Sequence, residues 1–463
     1  MLKILLVNLS SVPKQDGKFV QQLQSMPMGI LYLSAYIKKY TNYEVRMLDV
    51  GEETDWEPDI IGYSVVFSSS HEHFVEVSQD LKKQFPKALH IAGGNHATNA
   101  FEEVGRHVDH VFLGEGELSL VECLNNGFPS KYIKSELMDI TEILQPDWEL
   151  LDIDKYIHGK TRAMDTDKKT ATIITSRGCP FKCTFCAGFT VHGRKLRQRS
   201  IDSVIAEVKE LNERYGVNLF IIEDDLFLAP KSRGLELLKR FRELNIPDFE
   251  LKLPSALAVK ILDEELIDAL IQAGARVINL AIESGSERIQ ESIKKRVPLQ
   301  KAKRLVKYIR EQEIDGEPIL ARCYFMLGFP GETKEDMQKT IEYAISIKAD
   351  WCRFAAATPL IGSEMFDSFR PLLPENIYNA THFSIRMFDT PEISAKELTT
   401  IVRDMHNHVN YLNNPYFSES KFDKGLASLL EYSRKYPDKT AQVTFSCDDG
   451  ELRYRVGTKD RND

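Results

Sequence analysis

The stretch SRGCPFKCTFC, Ser176–Cys186, decides the fold and carries three closely spaced cysteines, Cys179, Cys183 and Cys186. Their spacing is C-x3-C-x2-C, and the stretch directly follows a predicted β-strand. Three thiolates on one short loop can bind three irons of a cubane [4Fe–4S] cluster and leave the fourth iron open to another ligand. The segment therefore predicts an iron–sulfur site at the end of a strand.

A structural zinc site is the alternative for these three cysteines. Zinc normally takes four Cys or His ligands, usually in paired C-x2-C form, and His192 could supply the fourth. The C-x3-C-x2-C spacing and the position after a strand favour the cluster. The remaining cysteines stand singly, mostly in apolar surroundings, which is not the arrangement of a disulfide framework. They are Cys123, Cys323, Cys352 and Cys447.

Strand-like and helix-like segments alternate from residue 170 to residue 369. The apolar residues between Ile201 and Leu211 recur at helical spacing, and Asp263, followed by two glutamates, is a good helix start. Six strand–helix units predict a partial (β/α)6 barrel whose active site lies at the carboxyl ends of the strands. The predicted strands are Ala171–Ser176, Leu219–Glu223, Glu250–Pro254, Val277–Glu283, Arg322–Leu327 and Asp350–Ala356.

Residues 1–127 alternate in the same way and predict a first, Rossmann-like α/β domain with a parallel sheet. Ligands of such sheets bind beyond the carboxyl ends of the strands, and two glycine-bearing stretches, Gly93–His96 and Gly114–Glu117, fall at such ends. This glycine signal is weak by itself. The predicted strands are Lys3–Asn8, Glu44–Val50, Ile60–Phe67, Leu89–Gly93 and His110–Gly114.

The rest of the chain is less regular. Residues 128–169 bear prolines and predict a linker packed between the two domains, with Trp148 and Tyr156 as anchors. Residues 370–463 predict a small α+β region with helices near Lys396–Leu412 and Ser420–Tyr436. A terminal hairpin should turn at Asp449-Gly450.

Composition narrows the class of protein. The formal net charge of -9 argues against a broad basic face for nucleic acid. No apolar run approaches the roughly 20 residues that cross a bilayer, and the opening MLKILLVNLS fits a first strand better than a signal peptide. We therefore expect a cytoplasmic protein without membrane or nucleic-acid partners.

The second domain resembles the radical S-adenosylmethionine (SAM) superfamily, and the resemblance extends beyond the three cysteines. Strand-end motifs occur in the family's order, which implies a radical SAM enzyme that cleaves SAM to a 5′-deoxyadenosyl radical. Taken singly, the carboxylates could cap a helix and the glycines could form an ordinary turn. The resemblance implies SAM contacts at Phe185, Glu223, Asp224, Asp225, Glu283, Ser284 and Gly328, the last within Gly328-Phe329-Pro330-Gly331-Glu332.

The first domain resembles the vitamin B12-binding domain of cobalamin-dependent radical SAM proteins. The matching residues are Pro27-Met28-Gly29, Tyr32-Leu33-Ser34-Ala35, Gly93-Gly94-Asn95-His96-Ala97 and Gly114-Glu115-Gly116-Glu117. The Asp-x-His-x-x-Gly motif that supplies a cobalt ligand in other corrinoid carriers is missing, so His96 is interpreted as a pocket-wall or hydrogen-bonded loop histidine. The resemblance implies cobalamin contacts at Gly93, Gly94, Asn95, His96, Gly114, Glu115, Gly116 and Glu117.

Together the resemblances imply a cobalamin-dependent methyltransferase that acts on an unactivated carbon of a small-molecule or natural-product substrate, with an external one-electron reductant. A non-methylating rearrangement, cyclisation or oxidation is the alternative, and a non-enzymatic module is a weaker one. A methylthiotransferase is rejected because its first domain normally carries three cysteines, whereas this one has Cys123 alone. The basic run Arg194–Arg199 predicts either an anion contact or a solvated face.

Overall fold

The computed structural model covers most of the 463-residue chain. The described residues are 2–9, 12–13, 19–20, 26–49, 51–157, 168–375, 377–380, 386–407, 409–410, 441–448 and 451–458.

The N-terminal part is a six-stranded parallel sheet with the strand order β2-β1-β3-β4-β5-β6. The strand order reverses between β1 and β3, so a ligand crevice is expected at their carboxyl ends. The strands are β1 (Lys3–Asn8), β2 (Glu44–Asp49), β3 (Ile60–Ser64), β4 (Leu89–Gly93), β5 (His110–Leu113) and β6 (Tyr132–Lys134).

Helices cover both faces of this sheet, as its continuously apolar strands require. Leu5 of β1 belongs to the same core as Phe74, whereas the next residue, Leu6, belongs to the core of the opposite face with Ile30. The Rossmann-like prediction is therefore confirmed. The helices are α1 (Met28–Tyr40), α2 (His71–Gln84), α3 (Asn95–Asn99), α4 (Phe101–Val104) and α5 (Glu117–Asn126).

The segment 128–169, predicted as a linker, contributes strand β6 and the short helix α6 (Ile153–Ile157). Trp148 and Tyr156 are buried, in agreement with their expected role as anchors. The Tyr156 hydroxyl donates to the Asp49 carboxylate at the end of β2 (2.6 Å), which ties the segment to the first sheet. The domain boundaries at residues 127, 169 and 369 remain predictions.

The second part is an open barrel of six parallel strands. Strands β7, β8 and β9 pair side by side, as do β10, β11 and β12. Two isolated bridges, Leu251–Ala275 and Leu257–Leu280, join the two halves. The strands are β7 (Thr170–Ile173), β8 (Leu219–Ile222), β9 (Glu250–Lys252), β10 (Val277–Glu283), β11 (Leu320–Leu327) and β12 (Trp351–Ala356). The predicted partial barrel is confirmed.

Helices flank the barrel strands, and the helix start predicted at Asp263 is confirmed. Asp263 accepts a hydrogen bond from the Leu266 amide at the start of its helix, and Thr333 with Asp336 forms a capping box. The helices are α7 (Phe189–His192), α8 (Ile201–Tyr215), α9 (Lys231–Glu243), α10 (Glu264–Gln272), α11 (Glu287–Ser292), α12 (Leu299–Arg310), α13 (Lys334–Ile347) and α14 (Glu364–Phe369).

Beyond the barrel, helix α15 (Ala395–Asn407) follows the edge strand β12, and Asn410 bonds to the backbone of Cys352 in that strand. The predicted hairpin is present as β13 (Ala441–Asp448) paired antiparallel with β14 (Glu451–Thr458). Its turn at Asp449-Gly450 and the predicted helix Ser420–Tyr436 lie outside the described residues. Among those residues, no helix is long and apolar enough to span a bilayer.

Candidate functional site

The three predicted cysteines share one cavity at the carboxyl ends of the barrel strands. Cys179, Cys183 and Cys186 line a space of about 850 Å³ that includes an open mouth, together with residues that end or follow β8 and β9. Cys186 is exposed and the other two are partly buried. The cysteines therefore stand where barrel enzymes place their active sites.

The loop has its shape because Gly178 precedes the first cysteine. Gly178 has φ +87°, and a Cβ there would lie 2.4 Å from the Lys195 carbonyl oxygen, so no other residue fits. Its amide donates to the Asp225 carboxylate (2.8 Å). Farther along, the Thr184 amide donates to the Ile293 carbonyl (3.1 Å). The loop is fixed at both ends.

The thiols suit a polynuclear cluster better than a single metal ion. Among the described residues, no group of three or more His, Cys, Asp or Glu could hold one metal ion. Thiolates that bind different irons of a cubane need not converge on one point. Burial raises the pKa of the Cys179 and Cys183 thiols, so these sulfurs need a positive partner such as iron to become thiolates.

His192, the candidate fourth ligand of a zinc site, has its Nδ1 3.0 Å from the Glu115 carboxylate of the first domain. This contact leaves Nε2 as the nitrogen that could bind a metal. The zinc interpretation is weakened instead by the lack, among the described residues, of a group of ligands that converge on one ion.

The acidic residues after β8 differ in their placement. Asp224 lines the cavity, but its buried carboxylate accepts hydrogen bonds from the Thr175 amide (2.7 Å) and the Ser176 hydroxyl (2.7 Å). Burial raises the pKa of Asp224. Asp225 also lines the cavity and holds Gly178, so both carboxylates support the cysteine loop directly.

Glu283 ends β10 at a bulge, with φ +69°. Its carboxylate pairs with the Lys295 ammonium at 3.0 Å, and Lys295 lines the cysteine cavity. Burial alone would lower the pKa of Lys295, but Glu283 and the cysteine sulfurs outweigh it, so that pKa is raised. The neighbouring Ser284 is buried and bonds to the Thr340 hydroxyl (2.9 Å) instead of facing the cavity.

The segment after β11 meets the cysteine loop through aromatic rings. The Phe185 and Phe329 ring centroids lie 6.0 Å apart, which brings two parts of the expected adenine site together. Glu332 accepts hydrogen bonds from the amides of Gly328 and Phe329 and is buried. Burial raises the pKa of Glu332 to about 7.

Lys295 and Arg386 are site residues that sequence reasoning missed. Arg386 donates to the carbonyls of Gly328 and Ala357 and so braces the segment after β11 from the C-terminal region. A lone basic residue far from any motif gives no usable signal. Lys295 stands in an ordinary Lys-Lys-Arg run after α11.

In the first domain, the predicted residues at the end of β4 form a buried turn. Gly94 has φ +108°, and a Cβ there would lie 2.7 Å from the Val65 carbonyl oxygen. His96 is buried, with its Nε2 2.9 Å from His71 Nδ1 and its Nδ1 3.1 Å from the Ser68 hydroxyl. Both ring nitrogens are therefore engaged, in line with the interpretation of His96 as a hydrogen-bonded loop histidine.

The Gly114–Glu117 turn directs its two carboxylates at the barrel. Glu115 pairs with Arg197 (2.6 Å) as well as with His192, and Glu117 pairs with Arg177 (2.6 Å). Burial alone would raise the pKa of Glu115, but hydrogen bonds from His192 and Arg197 lower it to about 2. Because these two side chains contact the barrel arginines, the part of the turn that can face a cofactor is its backbone.

The basic run Arg194–Arg199 divides between the two alternatives, because Arg194 and Lys195 are exposed whereas the later arginines contact anions. Arg197 and Arg199 are buried, and Arg199 pairs with Glu207. Arg194 donates to the Phe181 carbonyl inside the cysteine loop (2.6 Å). The anions that Arg197 and Arg199 contact are carboxylates of the protein itself, Glu115 and Glu207.

Two family models match the chain in the order expected. The B12 binding domain matches residues 22–124, and the Radical SAM superfamily matches residues 173–344. The fold and the two matches together define a radical SAM enzyme. In this chain a B12 binding domain thus precedes a radical SAM domain.

Individual relatives are similar over most of their length. The chain is 28% identical to cytidylyl-2-hydroxyethylphosphonate methyltransferase of Streptomyces wedmorensis, over 73% of this chain and 77% of that one. It is 25% identical to the anaerobic magnesium-protoporphyrin IX monomethyl ester cyclase of Cereibacter sphaeroides, over 81% of this chain and 64% of that one. The structure of the methyltransferase TsrM from Kitasatospora setae, with cobalamin and a [4Fe-4S] cluster bound, superposes with a TM-score of 0.61. That alignment has 19% identity and covers 79% of this chain and 74% of that one, so it supports the fold.

Proposed function

We propose that this protein is a cobalamin-dependent radical SAM methyltransferase that alkylates an unactivated carbon of a small molecule. The observation that carries the proposal is the docking of the Gly114–Glu117 turn onto the cysteine loop through Glu115–Arg197 and Glu117–Arg177. Methyl transfer by this route requires a cobalamin carrier and a SAM-derived radical to reach the same substrate. A rigid contact between the two domains meets that requirement.

Cys179, Cys183 and Cys186 would hold the [4Fe–4S] cluster. When bound, the cluster supplies the electron that breaks the sulfonium bond of SAM, and cobalamin supplies a carrier for the methyl group. The chain's residues orient these groups and keep water away. Phe185 and Phe329 form an apolar wall.

Charged groups would orient SAM beside that wall. The Lys295 ammonium in the cavity is suited to a carboxylate, and the Glu283 carboxylate beside it is suited to an ammonium or hydroxyl donor. Asp225 keeps the loop in position through the Gly178 amide. These roles of individual residues are part of the proposal.

The partners follow from the same chemistry. An external one-electron reductant has to reach the cluster, and exposed Cys186 marks the loop at which it would approach. Free thiols suit a reducing compartment such as the cytoplasm, and six cysteines are free: Cys123, Cys179, Cys183, Cys186, Cys323 and Cys352. The negative net charge gives no reason to expect nucleic acid as a partner.

The first experiment is anaerobic reconstitution with iron, sulfide and hydroxocobalamin, followed by desalting, an absorption spectrum and metal analysis. Cobalt retained with about four irons per chain is the expected result. Iron without cobalt would contradict the methyltransferase proposal and reduce the first domain to a scaffold or substrate-binding role.

A non-methylating reaction is the second candidate, and the similarity to the cyclase favours it as the alternative. Products separate the two under reducing conditions with SAM. S-adenosylhomocysteine together with 5′-deoxyadenosine supports methyl transfer, whereas 5′-deoxyadenosine alone supports rearrangement, cyclisation or oxidation. A lack of both would favour a non-enzymatic module.

A further inference from the structure

Two neighbouring barrel strands carry arginines on their inner face. Along β11, Cys323 and Phe325 are buried against the outer helices, so Arg322 and Tyr324 face the opposite side, the barrel lumen. Along β12, the Cys352 sulfur lies 3.8 Å from the Ala344 carbonyl of α13 and therefore points outward.

The next residue of β12, Arg353, thus points to the opposite side together with Trp351, whose ring centroid lies 5.2 Å from that of His406 in α15. It is exposed, and Tyr324 and Arg322 are partly exposed. Exposure on the inner face is possible because β12 is an edge strand and the six-stranded barrel does not close.

The register places these residues just beneath the cysteine cavity. Tyr324 is the direct neighbour of Arg353, and Arg322 is the neighbour of Trp351. Two residues further along β11, Met326 packs against the same apolar cluster as Phe185 of the cysteine loop. The Tyr324–Arg353 layer is therefore separated from the cysteine level by roughly 7 Å along the strand.

Positive charge dominates this part of the lumen. Lys252 of β9 lies close enough to Arg322 for the two cations to repel each other, with Glu250 as the nearby carboxylate. Burial lowers the pKa of both Lys252 and Arg322. Within the described part of the chain, neither Arg322 nor Arg353 forms an ion pair with a carboxylate. Lys252 has Glu250 as its partner, so the two arginines are the cations of this region that a ligand anion could pair with.

We propose that Arg322 and Arg353, with the Tyr324 hydroxyl, bind an oxyanion group of the substrate, a carboxylate or a phosphate or phosphonate. A guanidinium offers a planar fork of donors that matches such groups. The substrate's anionic end would sit in the lumen, and its reacting carbon would extend toward the cysteine level. This inference rests on the proposed function and adds the class of substrate to it.

The test is anion binding to the cluster-loaded full-length protein with SAM present, measured by isothermal titration calorimetry. The probes are pyrophosphate and malonate, one for each source of the oxyanion. We expect saturable binding of at least one probe at one site per chain. Arg353→Gln should weaken that binding at least tenfold, the loss expected for a charge-assisted hydrogen-bond pair. The matched control is Arg304→Gln, which alters an exposed arginine on the outer face of α12.

Two outcomes would overturn the inference. One is that the Arg353→Gln and Arg304→Gln variants bind the probe with equal affinity. The other is that the unaltered protein binds neither probe saturably. If Arg322→Gln fails to fold, exposed Arg353 still carries the test. Formation of 5′-deoxyadenosine by the unaltered protein is measured separately. Anion binding that Arg353→Gln loses and Arg304→Gln retains supports the inference, and normal anion binding without SAM cleavage by the unaltered protein would refute the proposed function alone.

Discussion

Gly178 shows how one missing side chain can decide whether the cysteine loop forms. Its positive φ and the 2.4 Å approach to the Lys195 carbonyl leave no room for a Cβ. The sequence predicts a loop with three metal-binding thiols, because the C-x3-C-x2-C spacing is local. It does not predict which carbonyl closes over the glycine, because that contact depends on the later turn at Gly193–Lys195.

Gly178→Ala should reduce iron retention after reconstitution and lower the melting temperature. The φ penalty alone is about 1 kcal/mol, and the collision adds to it. Gly127→Ala is the matched control, since Gly127 has φ +88° with nothing within 4 Å of the added Cβ. Equal losses in the two variants would show that the collision does not matter.

Glu332 should make stability depend on pH in an unusual direction. Burial raises its pKa from 4.5 to about 7, so the folded protein keeps a proton that the unfolded chain has released. The stabilisation is complete below pH 4.5 and is lost as the pH rises to about 7. This amounts to roughly 3 kcal/mol of unfolding free energy.

Glu332→Gln should remove this pH dependence while keeping an acceptor for the Gly328 and Phe329 amides. The measurement is the difference in apparent melting temperature between about pH 5.5 and pH 7.5, compared with Glu102→Gln at an exposed site. If the melting temperatures of Glu332→Gln and Glu102→Gln fall by the same amount between these two pH values, Glu332 is not the titrating group.

At the scale of elements, local signals predicted most helices and strands. Asp263 and the apolar spacing between Ile201 and Leu211 place helices α10 and α8 correctly, because caps and amphipathic spacing are local signals. Strand β6 was missed because it has three residues next to a proline-bearing stretch. Its pairing with β5 is a tertiary contact without a local pattern.

The edge of β12 depends on one amide side chain. Asn410 accepts a hydrogen bond from the Cys352 amide (2.6 Å) and donates to the Cys352 carbonyl (2.6 Å), so it satisfies the strand as another strand would. Asn410→Ala should cost about 1–3 kcal/mol through the unpaired backbone groups. It should also promote self-association through the freed edge.

Thermal unfolding and size-exclusion chromatography test this expectation. Gln338→Ala, which removes an exposed amide from α13, is the control. A melting temperature and an elution volume equal to those of the control would exclude a role for Asn410 in protecting the edge.

At the scale of the whole molecule, motif order predicted both domains and their sequence along the chain. The way they dock was not predicted. Glu115 and Glu117 were expected at a cofactor, whereas their side chains pair with Arg197 and Arg177 of the barrel. Glu117 and Arg177 are 60 residues apart in the sequence, and Glu115 and Arg197 are 82 apart. A pairing at such a distance leaves no periodic pattern in a single sequence.

Glu117→Gln should remove the nearer of the two carboxylates that pair with buried Arg177, leaving Glu115 at 3.5 Å, and cost about 1.5–3 kcal/mol. Domain separation, detected by limited proteolysis, and iron loss should accompany the drop in melting temperature. Glu122→Gln, an exposed change on the same helix α5, provides the control. The double variant Glu117→Gln/Arg177→Gln should cost less than the sum of the single variants. Additive losses would mean that the pair is not coupled.

The ion pairs between the domains also bear on how the protein is made. The ribosome synthesises Glu115 and Glu117 before the arginines and cysteines that they hold, and N-terminal domains generally fold first during synthesis. The receiving surface is thus complete when the cysteine loop emerges. The loop itself is fixed only once Arg197 and Ile293 have also been synthesised, so iron and sulfide should enter it after most of the barrel has emerged.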